Sequence, residues 1–342
     1  MTIKCCIVGA SGYTGMELAS LLVNHPEFDL DALYVSQNSA DAGKLLGELN
    51  GSLQRFEFSN LPLTPLALEQ FSELNGKLDA VFLATPHQLS HDVLAVLDTK
   101  KLKIFDLSGA FRIADKQVFA KNYGFEHLQE NALAEAVYGL AEWNASEIAE
   151  ASLIAVPGCY PTASLLALKP LANAGLLEST SLPIINATSG VSGAGRKATL
   201  NNSLCEVSLQ AYGVLNHRHQ PEIAAHLGRQ VIFTPHLGNF KRGILATITA
   251  KLTSSATPEK IEQAYNQAYS SSSIVKLLST WPKLDDVVNS PRCHLHWQYS
   301  EDMQHIVVSS AIDNLLKGAA SQAVQCANLA FGFSPSQGLE AL

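Results

Sequence analysis

Cys159 lies in Val156-Pro157-Gly158-Cys159-Tyr160-Pro161-Thr162, between an apolar run at 152–156 that reads as a strand and a helical apolar pattern over 162–174. A thiol at a strand-to-helix junction sits beside unpaired backbone N–H groups and the positive end of a helix dipole. Both favour the thiolate, which is the nucleophilic form. The alternative is a small buried apolar residue, the ordinary state of an unbridged cysteine. Further along, Thr188-Ser189-Gly190-Val191-Ser192-Gly193-Ala194-Gly195-Arg196-Lys197 packs glycines, hydroxyls and two cations into one stretch. That composition makes an anion cradle, with a flexible surface loop as the alternative. Next come His217, Arg218 and His219. Two histidines flanking an arginine suit a general acid/base with an anion-binding cation. A metal site is discounted for want of a third ligand at suitable spacing, and a solvated polar turn stays open.

These groups need elements to hold them. The chain opens on a buried strand at 3–9, followed by Gly9-Ala10-Ser11-Gly12-Tyr13-Thr14-Gly15 and a helix. Glycines three apart at such a turn let a backbone approach a pyrophosphate, and the helix N-terminus supplies N–H donors to it. A tight turn with no ligand is the alternative. The second strand, 30–35, ends in Ser36-Gln37-Asn38-Ser39, with no carboxylate for ribose hydroxyls. Room for a 2′-phosphate there points to NADP(H), since Asp29 and Asp31 fall too early in the strand to serve NAD. Residues 45–66 read as irregular. Strands are predicted at 80–84 and 104–107, with a helix from about 90. Their carboxyl ends bring His87, Ser108 and Gly109 to the ligand edge of a doubly wound sheet, although His87 could equally cap a helix.

Strands at 182–187, 231–235, 243–252, 294–299 and 304–312 then dominate, with a helix starting near Gln220. Another helix has Thr257 as N-cap and Pro258 at its first position. That is an α+β pattern. A last helix over 314–331 is expected to pack back on the first domain.

The 342 residues suit two domains, and 47% apolar against 16% charged residues marks a compact chain. A net charge of −8, with no basic stripe, argues against nucleic acid as a partner. No apolar run is long enough for a membrane span, and the immediate first strand leaves no room for a signal peptide. Six scattered cysteines, with no Cys-x-x-Cys pair, predict no disulfide framework, no metal and a cytoplasmic home.

Taken with Asp106-Leu107-Ser108-Gly109-Ala110-Phe111-Arg112, Tyr138-Gly139-Leu140, His217-Arg218-His219-Gln220-Pro221-Glu222-Ile223 and Asp313-Asn314-Leu315-Leu316-Lys317-Gly318-Ala319-Ala320, these stretches resemble the N-acetyl-γ-glutamyl-phosphate reductase family over essentially the full length. That family is related to the aspartate-semialdehyde dehydrogenases. Against the family pattern, Gly109 stands where alanine is more usual, Ala110 where an acidic residue is common, Ala141 for proline and Ser321 for glycine.

The resemblance implies an α/β fold: a Rossmann-type NADP-binding domain at 1–158, completed by a C-terminal helix at about 314–342, and an α+β catalytic and dimerisation domain at 159–313. It implies NADPH-dependent reduction of N-acetyl-L-glutamyl 5-phosphate to N-acetyl-L-glutamate 5-semialdehyde and inorganic phosphate, in arginine biosynthesis. Cys159 would form the thioester, with His217 as acid/base. Gly9, Ser11, Gly12, Tyr13, Thr14, Gly15, Ser36, Ser108, Gly109 and Asn314 would hold the cofactor. Ser189, Gly190, Ser192, Gly193, Arg196, Arg218, His219 and Arg112 would hold substrate or phosphate, and the N–H of Tyr160 an oxyanion. A homodimer or homotetramer is implied. The rival readings are the same chemistry on another acyl phosphate such as aspartyl phosphate, a non-catalytic NADP-binding regulator, and a cysteine hydrolase.

Overall fold

The computed structural model describes residues 2–54 and 57–340. Residue 1 and residues 341–342, at the ends of the predicted first domain, and residues 55–56, in the stretch predicted irregular, lie outside them. The chain divides into two compact units, Met1–Pro157 with Ala319–Leu342, and Gly158–Gly318. The first unit carries strands β1 (Ile3–Val8), β2 (Phe28–Ser36), β3 (Leu63–Leu66), β4 (Ala80–Leu83), β5 (Lys103–Asp106), β6 (Val137–Tyr138) and β7 (Leu153–Ala155). They form one sheet in the order β3-β2-β1-β4-β5-β7-β6, and every pair is parallel. Its helices are α1 (Tyr13–Val23), α2 (Leu46–Leu49), α3 (His87–Val93), α4 (Lys116–Tyr123), α5 (Glu130–Glu135) and α6 (Ala145–Glu150).

A parallel sheet is covered on both faces, so its inner strands are continuously apolar. Cys5, Cys6, Ile7 and Val8 are accordingly all buried, and burial holds both thiols far above the usual range. The strand order reverses between β1 and β4, which is where an open α/β sheet binds ligands. Within the stretch expected to be irregular, β3 pairs with β2 at the sheet edge. Pro65 disguises it in the sequence, but a residue without an N–H is tolerated on an edge strand.

The second unit holds β8 (Ile184–Ser189), β9 (Gln210–Ala211), β10 (Ile232–Leu237), β11 (Ile244–Lys251), β12 (Val275–Leu277), β13 (Cys293–Ser300) and β14 (His305–Ile312). These make a mixed sheet in the order β12-β13-β14-β11-β8-β10-β9. Its helices are α7 (Cys159–Asn173), α8 (His219–Leu227) and α9 (Pro258–Tyr269). Ile244, Ala246, Ile248 and Ala250 of β11 are buried, facing α7, whereas Leu245, Thr247, Thr249 and Lys251 alternate to the other face.

The helix α7 begins at Cys159, three residues before the apolar pattern predicted. Pro161 reads as a breaker, yet in a first turn its missing N–H is not needed. Pro170, in the interior, does remove a bond, because the Leu166 carbonyl loses its helical donor. Tyr269 of α9 supplies the replacement, its hydroxyl donating to the Leu166 oxygen at 2.6 Å, while Tyr265 donates to the Ala167 oxygen at 2.7 Å. A proline in this helix is therefore tolerated because a neighbouring helix satisfies the orphaned carbonyl.

The last helix, α10 (Ala320–Ala330), belongs to the first unit and packs on α1 and α6. It starts later than the predicted 314. The Asp313 carboxylate accepts the N–H groups of Leu315 and Leu316, turning the chain before the helix begins. The fold is thus α/β, a Rossmann-type parallel sheet followed by an α+β unit, with the C-terminal helix returning to the first. Among the described residues no helix is long and apolar enough to cross a membrane.

Candidate active site

In the first unit, Gly9 follows β1 with φ +89°, and a Cβ there would lie 2.2 Å from the Ala84 oxygen at the end of β4. Gly15 packs so closely that its Cβ would meet the Gly9 oxygen at 2.3 Å. The turn itself therefore requires these two glycines. Gly12 differs, since its φ is −75° and a Cβ would touch only the Gly9 oxygen, at an ordinary 3.4 Å. No close contact and no positive φ demands a glycine at this N-cap of α1. The helix also has no capping side-chain bond and no acidic residue in its first turn. Bare N–H groups at a helix start, approached past a residue with no side chain, fit a pyrophosphate. Ser11, Tyr13 and Thr14 flank the same turn, with Tyr13 exposed. Ser36 is exposed at the carboxyl end of β2, whereas Asp29 and Asp31 sit in its first half. Asp31 is paired with Lys4 at 3.3 Å.

Other predicted cofactor neighbours spend their polar groups locally. The Ser108 hydroxyl donates to Asp106 at 2.9 Å and accepts the Ala110 N–H. Burial raises the Asp106 pKa, against the hydrogen bonds from Ser108 and the charge of Arg112. The Gly109 N–H donates to His87 Nδ1 at 2.7 Å, so His87 does more than begin α3. Where a Cβ on Gly109 would stand, Tyr123 already does, its hydroxyl oxygen 2.3 Å from that position. This accounts for glycine where alanine is more usual. Arg112 is buried, donating through Nε to the Val156 carbonyl and through a terminal nitrogen to Leu107, both at 2.7 Å.

The second unit carries the thiol. Gly158 is the extended N-cap of α7, and Cys159 is its first residue, part-exposed. The Gly158 carbonyl accepts the Thr162 N–H at 2.9 Å and its hydroxyl at 3.0 Å. With Pro161 lacking an N–H, the donors left at the helix start are those of Cys159 and Tyr160. Gly318 packs against Cys159, and a Cβ there would come within 2.8 Å of the Cys159 Cβ. All six cysteines are thiols.

Around this helix start lies a ring cluster. His217 stands against Tyr160 at 5.8 Å, Tyr212 at 5.4 Å, Phe233 at 5.5 Å and His219 at 4.8 Å between centroids. The Tyr212 hydroxyl donates to that of Tyr160, which donates to the His236 carbonyl at 3.1 Å. Burial pushes both tyrosine pKa values up, so both hydroxyls stay protonated. His217 Nδ1 accepts the backbone N–H of His219 at 3.1 Å. Burial, with Arg218 next to it, lowers the His217 pKa to about 4. The neutral ring therefore carries its proton on Nε2 and offers a donor there.

The predicted anion loop is clamped from below. Gly190, Val191 and Ser192 donate their N–H groups to the carbonyls of Gly243, Phe240 and Lys241. Gly190 has no room for a side chain, its Cβ position lying 2.5 Å from the Arg242 nitrogen. Ser189 is buried, while Gly193 and Arg196 are exposed. Asn314 ties the loop down, Nδ2 donating to Ser192 Oγ at 2.9 Å and Oδ1 accepting the Gly243 N–H at 2.6 Å. Arg218, the N-cap of α8, is exposed, and His219 is buried in that helix's first turn.

The second unit thus gathers Cys159, His217, His219, Ser189, Ser192 and Asn314. The first holds the glycine turn, Ser36, Ser108, Gly109 and Arg112. Sequence reasoning gave no role to Tyr212, Phe233 or Glu222. The Glu222 carboxylate is fully buried and accepts the Gly158 N–H at 2.8 Å. Its spacing of three from His219 on a helix was the available signal. Among the described residues no cluster of three or more His, Cys, Asp or Glu could hold a metal.

Residues 4–151 match the semialdehyde dehydrogenase NAD binding domain, and residues 159–314 match the semialdehyde dehydrogenase dimerisation domain. The chain is 62% identical to an N-acetyl-gamma-glutamyl-phosphate reductase of Pseudoalteromonas atlantica over 98% of each chain. It is 57% identical to that of Alteromonas mediterranea over 94% of this chain and 95% of that one. A solved structure of a probable aspartate-semialdehyde dehydrogenase from Pseudomonas aeruginosa shares the fold, with TM-score 0.73, 18% identity, and 97% and 99% of the two chains covered. With both domains matched and this identity to the two reductases over nearly its whole length, the chain belongs to the N-acetyl-γ-glutamyl-phosphate reductase family of oxidoreductases.

Proposed function

We propose that the protein reduces N-acetyl-L-glutamyl 5-phosphate to N-acetyl-L-glutamate 5-semialdehyde, with NADPH as reductant, in arginine biosynthesis. The observation that carries the reading is Cys159 as first residue of α7, a thiol at the positive end of a helix dipole in a chain of this family. Cys159 thiolate attacks the acyl carbonyl, an oxyanion forms, and the bond to the phosphate oxygen breaks. Phosphate leaves, taking up one proton, and the acyl group stays on sulfur as a thioester. Bound NADPH supplies the hydride. The resulting thiohemiacetal oxyanion expels the thiolate, releasing the aldehyde and restoring Cys159.

His217, with its proton on Nε2, serves best as a neutral donor to the oxyanion rather than as a base. The N–H of Tyr160 is the second donor. Ser189, Gly190, Ser192 and Gly193, with Arg196, Arg218, His219 and Arg112, are assigned to the substrate's phosphate and carboxylate. The exposed Ser36 and the early position of Asp29 and Asp31 support NADP over NAD.

The sheet face of the second unit turned away from α7 carries an apolar groove of about 670 Å³, lined by Trp281, Tyr299, Met303, His305 and Val307. Its place in the matched dimerisation domain supports a second copy as its occupant, in a homodimer or a tetramer built from it. The assay runs the reaction backwards with N-acetylglutamate semialdehyde, phosphate and NADP. A phosphate-dependent rise in NADPH absorbance is expected, and its absence from folded protein refutes the proposal. NAD serving better than NADP would refute the cofactor assignment alone. A monomer by light scattering would refute the pairing.

A further inference from the structure

We infer that Glu222 is a positioning residue for the Cys159 thiol, acting through the residue that precedes it; this rests on Cys159 being the nucleophile. Glu222 lies in the first turn of α8, which packs on α7. Its side chain has no solvent exposure, and Oε1 accepts the Gly158 N–H at 2.8 Å. Gly158 is then held at both ends. Its N–H is bound by Glu222, and its carbonyl by the Thr162 N–H and hydroxyl. The backbone entering Cys159 has no slack, and Gly318 closes on its Cβ from the other side. The sulfur keeps one torsion to search.

A buried carboxylate also withdraws the Gly158 N–H from any ligand. The donors at the helix start are thereby confined to Cys159 and Tyr160, where an oxyanion formed at the sulfur would lie. A carboxylate near a helix start stabilises that helix in any protein. A structural role of that kind predicts a change in melting and nothing specific to the thiol. Positioning predicts that the reach of the oxygen matters more than its charge. Gln keeps an acceptor oxygen at the same reach, whereas Asp keeps the charge but falls one methylene short.

The test compares Glu222→Gln, Glu222→Asp and Glu222→Ala in the full-length protein. Readouts are kcat, KM for NADPH, melting temperature, and the rate at which iodoacetamide alkylates Cys159 in resting protein. Asp and Ala should each lower kcat roughly 10²-fold, the usual cost of a misplaced reacting group, with KM for NADPH unchanged. Gln should recover most of the rate and the wild-type alkylation behaviour. Should the Ala variant fail to fold, the Gln and Asp pair still decides. Wild-type kcat in Glu222→Asp, or Gln as damaging as Asp, overturns the inference. Cys159→Ser, run beside them, separates the two readings. Turnover kept in that variant sinks the nucleophile and this inference together, whereas turnover lost there but kept in Glu222→Asp sinks this inference alone.

Discussion

His217 is held by the residue two places after it, its Nδ1 accepting the backbone N–H of His219 at 3.1 Å. That bond fixes the tautomer, and the half-buried ring, with Arg218 beside it, titrates near pH 4 instead of 6.5. The proton stays on Nε2 at every working pH, and a second one can enter only by displacing the His219 N–H. The acid limb that this group gives to kcat/KM should therefore fall near pH 4. A limb at 6.5 that vanishes in His217→Gln would show the ring is not held in this way. His217→Ala should lower kcat by about 10²–10³-fold, as loss of one oxyanion donor does.

Gly12→Ala separates folding from cofactor binding. The added methyl would meet only the Gly9 oxygen, at 3.4 Å. The melting temperature of the apoprotein should hold, while the Kd for NADPH, read by fluorescence titration, should rise. Gly15→Ala should instead destabilise the fold outright, because its Cβ would sit 2.3 Å from the same oxygen. Unchanged NADPH affinity in Gly12→Ala would remove the pyrophosphate from this turn.

Tyr269→Phe removes the hydroxyl that caps the Leu166 carbonyl opposite Pro170. A buried acceptor left unsatisfied costs about 1–3 kcal/mol, so denaturant unfolding should show a loss in that range. Pairing it with Pro170→Ala should restore most of that stability, since the substituted residue would donate its own backbone N–H to the Leu166 carbonyl.

Acid should weaken the fold through its neutral histidines. His127 is lowered to about 4, by burial first and then by His91, and His217 is lowered to about the same value. In the unfolded chain both titrate near 6.5, so between 6.5 and 4 the unfolded state binds more protons. Stability from this source is fully present above pH 6.5 and drains away as the pH falls toward 4. The melting temperature should follow that course, and His127→Gln should flatten it.

The sequence by itself carried most of the order of elements and singled out the candidate reacting groups. Both are written locally. Buried parallel strands read as apolar runs, a glycine turn must separate β1 from α1, and a thiol at a strand-to-helix junction stands out wherever it occurs. What it could not carry was anything decided by a partner distant in the chain. The helix pattern read at 162–174 runs through Pro170, but only the packing of α9 shows that Tyr269 satisfies the carbonyl this proline orphans. Asn314 read as a cofactor contact, and the sequence did not show that its amide also engages Ser192 and Gly243, remote in the chain. Glu222 had no role until α8 laid it on the Gly158 N–H. Residue types fix which hydrogen bonds and charges are available. Only the packing of distant segments decides which of them are spent on the fold and which are left for chemistry.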